Sequence, residues 1–464
     1  MQRAAILFAA LSTLLAGAAP PGWQPVAFRE EIRPNFRHEP AGGRNNAESL
    51  IIETDARDGL DGAWKRSFPV QGGSWYKFSV WRKTSGTDYP QQCSAITVYW
   101  QDDNGKSVLD DRKLVENYLT KHTPAAPPEY PVDTATGPDG WTEVTGLWQA
   151  PGGSKAASIE MHGRWAANAR FSFSAPAFVK AEPPAPRIVR LATVHHRPLT
   201  GKTAAEKREQ FAPLVAEAAR RKSDLVVLGE TLTYAWAGKT PAEAAEPIPG
   251  PTTDYFAALS KQHNLYIVAG IFEKDTYKVY NTAVLLTPEG TIGGKYRKVT
   301  LPDSEAASGV VPGTDFPVFK TRFGIVGMMI CYDGFFPEVA RELSKNGAEI
   351  IAWPVWGCNP ELAKARAAEN HVYMVSSTYE DTSSNWMLSA VWDQTGKTIG
   401  LAKDWGSVAV AEVDLSETTR WRVLGDFRSK LEYHVPMAPA APLWNQKAPK
   451  VVPWQNPSKG SVIP

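Results

Sequence analysis

Hydrophobic and polar positions change their spacing once along this chain. Between residues 22 and 180, short runs of aromatic and β-branched residues partly alternate with polar ones, as in Trp75-Tyr76-Lys77-Phe78-Ser79-Val80-Trp81 and Ile96-Thr97-Val98-Tyr99-Trp100. A period of two predicts half-buried strands. Asp103-Asn104-Gly105 and Asp139-Gly140 supply turns between them, residues 121–131 read as a Pro-rich loop, and residues 169–179 as the last strand. The expectation is an all-β sandwich of jelly-roll type. Residues 181–186, Ala-Glu-Pro-Pro-Ala-Pro, make a stiff linker.

From 187 to 434 the pattern switches to apolar runs alternating with helical periodicity. Strands are predicted over 187–194, 224–228, 265–271, 279–286, 291–296, 324–330, 349–353, 372–378, 387–392 and 407–413. Helices are predicted over 204–222, 252–263, 337–346 and 361–370, the third closed by Gly347 as a C-cap. Such alternation is the mark of an α/β domain. Residues 435–464 are dominated by Pro and Ala and read as a tail without regular structure.

The first nineteen residues interrupt neither pattern and read as a secretory leader. Arg3 supplies a positive start, residues 4–15 a short apolar run, and Ala16-Gly17-Ala18 small residues for cleavage. That run falls short of the roughly 20 residues needed to span a bilayer, and no later stretch is apolar enough to span. The expected location is therefore periplasmic or secreted. Export gives the cysteines meaning: Cys93, Cys331 and Cys358 are the only three, so at least one stays unpaired and no disulfide framework holds the fold. Net charge is +1 on 464 residues, which gives bulk electrostatics no reason to recruit nucleic acid.

Three polar residues end apolar strands in the α/β region. Glu230 follows residues 225–229, Lys298 follows 294–297, and Cys331 follows 325–330. A charge straight after a buried run is costly unless it is paired or used, and carboxyl ends of strands converge on one crevice in open α/β folds. Taken singly, Cys331 is more often an inert core thiol, and Glu230 a solvated strand end. Together they make chemical sense: a thiol needs a base to become a nucleophile, and a nearby ammonium favours the thiolate and an oxyanion. His195 and His196 have no third clustered ligand and read as structural or rim residues, so no metal or organic cofactor is expected.

The α/β region resembles the nitrilase superfamily of carbon–nitrogen hydrolases in five segments: DLVVLGET, YNTAVLLTPEGTIGGKYRKVTLPD, GMMICYDGFFPEVAREL, ELAKARAAENHVYMVSS and VAVAEVDL. The resemblance implies a four-layer α-β-β-α sandwich and a Glu-Lys-Cys triad. It makes Glu230 the general base, Lys298 and the backbone N–H of Tyr332 the oxyanion donors, Cys331 the nucleophile, and Glu305, upstream of Pro312-Gly313, a second glutamate at the site. One departure stands out: the family usually has Pro before the base, and Gly229 is found here. Residues 22–180 resemble galactose-binding-like carbohydrate-binding modules through GGSWYKFSVWRKT, VYWQDDNGK, GWTEVTGLWQAP and RFSFSAPAFVK. That implies a glycan partner, although Trp is more often core than a sugar platform.

Cys331-Tyr332-Asp333 looks more like the amidase and carbamoyl-hydrolase branches than the nitrilases proper, which tend to carry Cys-Trp-Glu. The expected substrate is a small molecule with an amide or N-carbamoyl bond. Tyr234, Trp236, Trp356 and Cys358 are the expected pocket wall, and aromatic walls favour an apolar or planar acyl group. The resemblance also implies a homo-oligomer, most simply a dimer. Two other functions remain open on this sequence: an inactive carbohydrate-binding protein, and an N-acyltransferase using the same triad.

Overall fold

The computed structural model describes residues 20–115, 124–434 and 436–437. The expected leader, the first part of the Pro-rich loop and nearly all of the C-terminal tail lie outside the described residues. The N-terminal region forms two antiparallel sheets. One has four strands, from Gln24–Val26 through Asp61–Pro69 and Ala156–Arg164 to Ile96–Gln101. The other has six and is centred on Arg170–Ala181, flanked by Ser49–Glu53 and Trp75–Ser85. Alternate residues of both sheets meet in one core that contains Trp23, Trp64, Trp100 and Trp148, together with Phe78, Phe171 and Phe173. The abundance of Trp here is therefore largely core packing, because burying a ring removes more apolar surface than any aliphatic side chain does.

Two six-stranded sheets form the second region, and they repeat one plan. In the first, Ile188–His195, Leu225–Val227 and Tyr266–Asp275 run parallel; Lys278–Leu286, Ile292–Arg297 and Ser407–Asp414 join antiparallel. In the second, Ile325–Met328, Ile350–Pro354 and Tyr373–Ser377 run parallel, with Val318–Lys320, Ser389–Trp392 and Thr398–Ala402 antiparallel. Strand alternation decides the layers. Val189 and Leu191 point into a core shared by both sheets, whereas Ala192 and Val194 point out to Phe211, Val215 and Phe256 on the helices. Val339, Leu343, Ala363 and Ala367 cover the second sheet from Pro337–Lys345 and Pro360–Asn370. The order is helices, sheet, sheet, helices.

The single helix expected over 204–222 is two, Ala204–Glu209 and Ala212–Arg220. Pro213 has no N–H to donate to the Glu209 carbonyl, so the ladder breaks there. Several short elements escaped the sequence pattern, among them Asp303–Ala307, which carries Glu305, and Phe427–His434. The second of these docks on the β-sandwich. Gln92 Nε2 donates to the Glu432 carbonyl at 2.9 Å, the Tyr433 hydroxyl to Pro131 O at 2.5 Å, and His434 Nε2 lies 3.2 Å from the Tyr130 hydroxyl.

Candidate active site

Strand direction brings the three strand-end residues together. Leu225–Val227 points its carboxyl end at the site and delivers Glu230. Lys278–Leu286 runs back antiparallel, and Ile292–Arg297 returns, so Lys298 leaves its strand at the same end. Backbone pairing continues one residue further, with Lys298 N–H donating to Asn281 O at 2.9 Å. Cys331 arrives from the other sheet, just past Ile325–Met328, at the start of a 3₁₀ turn, Cys331–Phe335.

Lys298 is the hub. Its Nζ donates to Glu230 Oε1 at 3.0 Å and to Glu305 Oε1 at 2.6 Å, and its side chain is fully buried. Burial opposes the ammonium, but Glu230, the Cys331 sulfur and Glu305 outweigh it, and its pKa is raised. Burial and then the Glu230 carboxylate raise the pKa of Glu305, against Lys298 and Asn281. The Cys331 thiol is also raised, by burial first and by Glu230 second, with Lys298 opposing. The resting Cys331 is therefore a thiol, and chemistry at this sulfur requires a base. Glu230 and Glu305 each keep one carboxylate oxygen without a hydrogen-bond partner among the described residues. An unfilled acceptor in so dry a place is costly.

The turn that presents Cys331 is strained and braced. Cys331 has φ of 39°, a left-handed value uncommon outside glycine, Asn and Asp. Asp333, wholly buried, accepts from Ile330 N–H at 2.9 Å, Thr300 N–H at 3.0 Å and the Tyr296 hydroxyl at 2.8 Å. It thereby ties the cysteine turn to the segment carrying Lys298. The Cys331 sulfur lies 3.7 Å from the carbonyl of Gly357.

Asn281 and Tyr379 complete the cluster and were missed from the sequence. Asn281 Nδ2 donates to Glu230 Oε1 at 2.7 Å and to Glu305 Oε1 at 3.2 Å. An amide inside the apolar run 279–286 was the available signal. The Tyr379 hydroxyl donates to the Glu230 carbonyl at 2.7 Å. It also accounts for Gly229: a Cβ there would lie 2.4 Å from the Tyr379 hydroxyl. The space a proline would fill before Glu230 is taken by the tyrosine that holds the Glu230 backbone.

A cavity of about 330 Å³ opens over this cluster, lined by Glu230, Glu305, Cys331, Tyr234, Phe272 and Trp356, with Pro241 and Pro302 among the rest. Two expected wall residues stand elsewhere. Cys358 is fully buried in the core between the sheets, because its loop turns inward after Ile350–Pro354. Trp236 stands behind Trp356, ring centroids 5.1 Å apart, and half faces solvent. His195 is structural: its Nδ1 lies 2.9 Å from Ser389 Oγ, its ring stacks on Trp405, and burial pushes its pKa down to about 4. Among the described residues no group of His, Cys, Asp and Glu is arranged to hold a metal ion.

Comparison with known proteins gives the family of this region. Residues 190–423 match the carbon–nitrogen hydrolase family. The chain belongs to that family. An omega-amidase of Xenopus tropicalis is 31% identical to this hydrolase over 233 residues, which span 45% of the chain and 83% of the relative. A nitrilase of Pyrococcus abyssi is 37% identical over 213 residues, spanning 44% of the chain and 81% of the relative. Among solved structures, a Saccharomyces cerevisiae member of the nitrilase superfamily aligns over 49% of this chain and 90% of its own, at 25% identity and a TM-score of 0.44. The hydrolase is thus an enzyme acting on carbon–nitrogen bonds, and its family segment is the two-sheet region alone.

Proposed function

We propose that this hydrolase cleaves a non-peptide amide or N-carbamoyl bond through a thioester on Cys331. The observation that carries the reading is Lys298 Nζ, held between Glu230 and Glu305 at the floor of the cavity that Cys331 also lines. In this mechanism Glu230 takes the thiol proton as sulfur attacks the carbonyl carbon. Lys298 and the backbone N–H of Tyr332 hold the oxyanion, each such donor worth roughly 3–4 kcal/mol. The carbon–nitrogen bond breaks, and Glu230 returns its proton to the departing nitrogen. Water then attacks the thioester, giving its proton to Glu230, and the carboxylic acid leaves as the thiol reforms. Glu305 orients the substrate and supports Lys298. Intact-mass detection of an acyl adduct across a library of amides and N-carbamoyl compounds tests this. The adduct must vanish in Cys331→Ala, and full turnover by that variant would end the proposal.

The chain outside the family segment adds two parts to the reading. Residues 1–19 direct export, on the strength of Arg3, the apolar run and the small residues that follow; N-terminal sequencing of protein recovered outside the cytoplasm tests it. The N-terminal sandwich is a galactose-binding-like module of jelly-roll type that brings the enzyme to a glycan. Its segments resemble such modules, and Trp165 is one tryptophan of this region left 43% exposed. Glycan-array binding by the intact protein, lost in Trp165→Ala, is the expected result.

A further inference from the structure

The cavity over Cys331 has walls and a floor of opposite character. The walls are apolar: Tyr234 and Phe272 meet edge to face with centroids 4.9 Å apart, Trp356 is backed by Trp236 and Tyr379, and Pro241 and Pro302 fill gaps. The floor is acidic, formed by Glu230 and Glu305. The cation beneath them, Lys298, is fully buried and already donates to both. None of the described residues lining the cavity is Lys or Arg.

Two consequences follow for a ligand. The unpartnered oxygens of Glu230 and Glu305 are acceptors awaiting a donor. The N–H groups of a primary amide or a terminal carbamoyl group can satisfy them; a carboxylate can only repel them. At the other end, an acyl chain lies against rings and prolines in a volume near the lower bound of small-molecule pockets. A charge carried there would lose its hydration and gain no counter-ion.

We infer that this site takes amides and N-carbamoyl compounds whose acyl side is uncharged, and rejects those bearing a carboxylate at the far end. The inference rests on the thioester reading above and narrows its substrate class. The walls and floor select together: aromatic surface rewards the neutral chain, and the two glutamates penalise the anion. Ser308 is positioned to weaken the preference when replaced by a cation. It lines the cavity on its exposed rim, at the carboxyl end of the helix Asp303–Ala307, where a cation is favoured.

The test compares two primary amides of matched shape, 4-methylpentanamide and succinamate, by kcat/KM and by acyl adduct on Cys331 at neutral pH. The neutral amide is expected to be favoured by roughly thirty-fold or more, the scale of a carboxylate desolvated without a partner. Ser308→Arg is expected to narrow that gap about ten-fold, through a lower KM for succinamate. Equal or better use of succinamate by the wild type would overturn the inference while leaving the thioester mechanism standing. An unchanged gap in a folded Ser308→Arg protein would also count against it, since charge would then not be the discriminator. If neither amide, nor any other in the library, acylates Cys331, the mechanism itself fails and the inference goes with it.

Discussion

Replacing Lys298 with methionine removes the cation and keeps much of the volume. Its Nζ lies 3.0 Å from Glu230 and 2.6 Å from Glu305. At an effective dielectric of about 20 each contact is worth about 5–6 kcal/mol of gross attraction. Desolvation of three buried charges offsets most of it, at several kcal/mol per ion. Truncation leaves two carboxylates facing each other, a situation that costs about 3–5 kcal/mol when a buried pair is broken. The fold relieves this by taking up a proton, and Glu305, whose pKa is already raised by burial and by Glu230, is the acceptor. Without Lys298 that pKa climbs further above its unfolded value of about 4.3. In the window between the two values the folded variant binds more protons than the unfolded chain, so its stability falls as pH rises. Urea unfolding of wild type and Lys298→Met at about pH 5.5 and about pH 8 reads the effect. The expected deficit is larger at the higher pH and accompanies a loss of about 10²–10³ in kcat/KM, the scale of one oxyanion donor. A deficit below about 1 kcal/mol, or one equal at both pH values, would refute the view of Lys298 as the shared counter-ion.

Other consequences are independent of that one. Tyr379→Phe deletes the hydroxyl that holds the Glu230 carbonyl and should cost about 1 kcal/mol in denaturant unfolding, with a fall in kcat larger than any change in KM. Gly229→Ala drives a methyl into the same tyrosine and should destabilise by about 1–3 kcal/mol; pairing it with Tyr379→Ala should cost less than the two losses added. Because burial raises the Cys331 thiol, modification by a neutral methanethiosulfonate should accelerate with pH without levelling off below about pH 8.5, the free-thiol value; an early plateau in the inactivation rate would contradict the protonated resting state. Arg428, on the last helix, donates to Ser344 Oγ and to the carbonyls of Asn370 and Ala348; Arg428→Met should lower thermal stability by about 2–4 kcal/mol and loosen the helix that docks on the sandwich, read by hydrogen exchange at 427–434.

Strands and long helices were legible because their signals are local. The run at 325–330 is apolar whatever surrounds it, and Gly347, with φ of 97°, closes its helix as a C-cap glycine should. Pro213 carried a warning that periodicity overrode: Phe211, Leu214, Val215 and Ala218 do share a face, but a shared face does not require an unbroken hydrogen-bond ladder. Trp236 and Cys358 were misplaced for a different reason. Proximity in sequence to Glu230 or to the loop after residue 354 says nothing of which way a loop turns, and that depends on the apolar space between the sheets.

That Glu230, Lys298 and Cys331 follow apolar strands was legible in the sequence itself, because a polar residue ending a buried run is visible in one dimension. The partners that make them chemistry were not. Asn281 bridges two carboxylates from Lys278–Leu286 in the same sheet, Asp333 fastens the cysteine turn to the lysine segment, and Tyr379 reaches the Glu230 backbone from the other sheet. Each acts between residues distant in sequence, so strand order within the first sheet, for Asn281, and the packing of the two sheets, for Asp333 and Tyr379, bring it within hydrogen-bonding distance. The same packing decides what the cavity can hold. Aromatic residues are evident in the sequence, but which of them face Cys331, and that no described lysine or arginine joins them there, are consequences of which side of each strand and loop is turned inward.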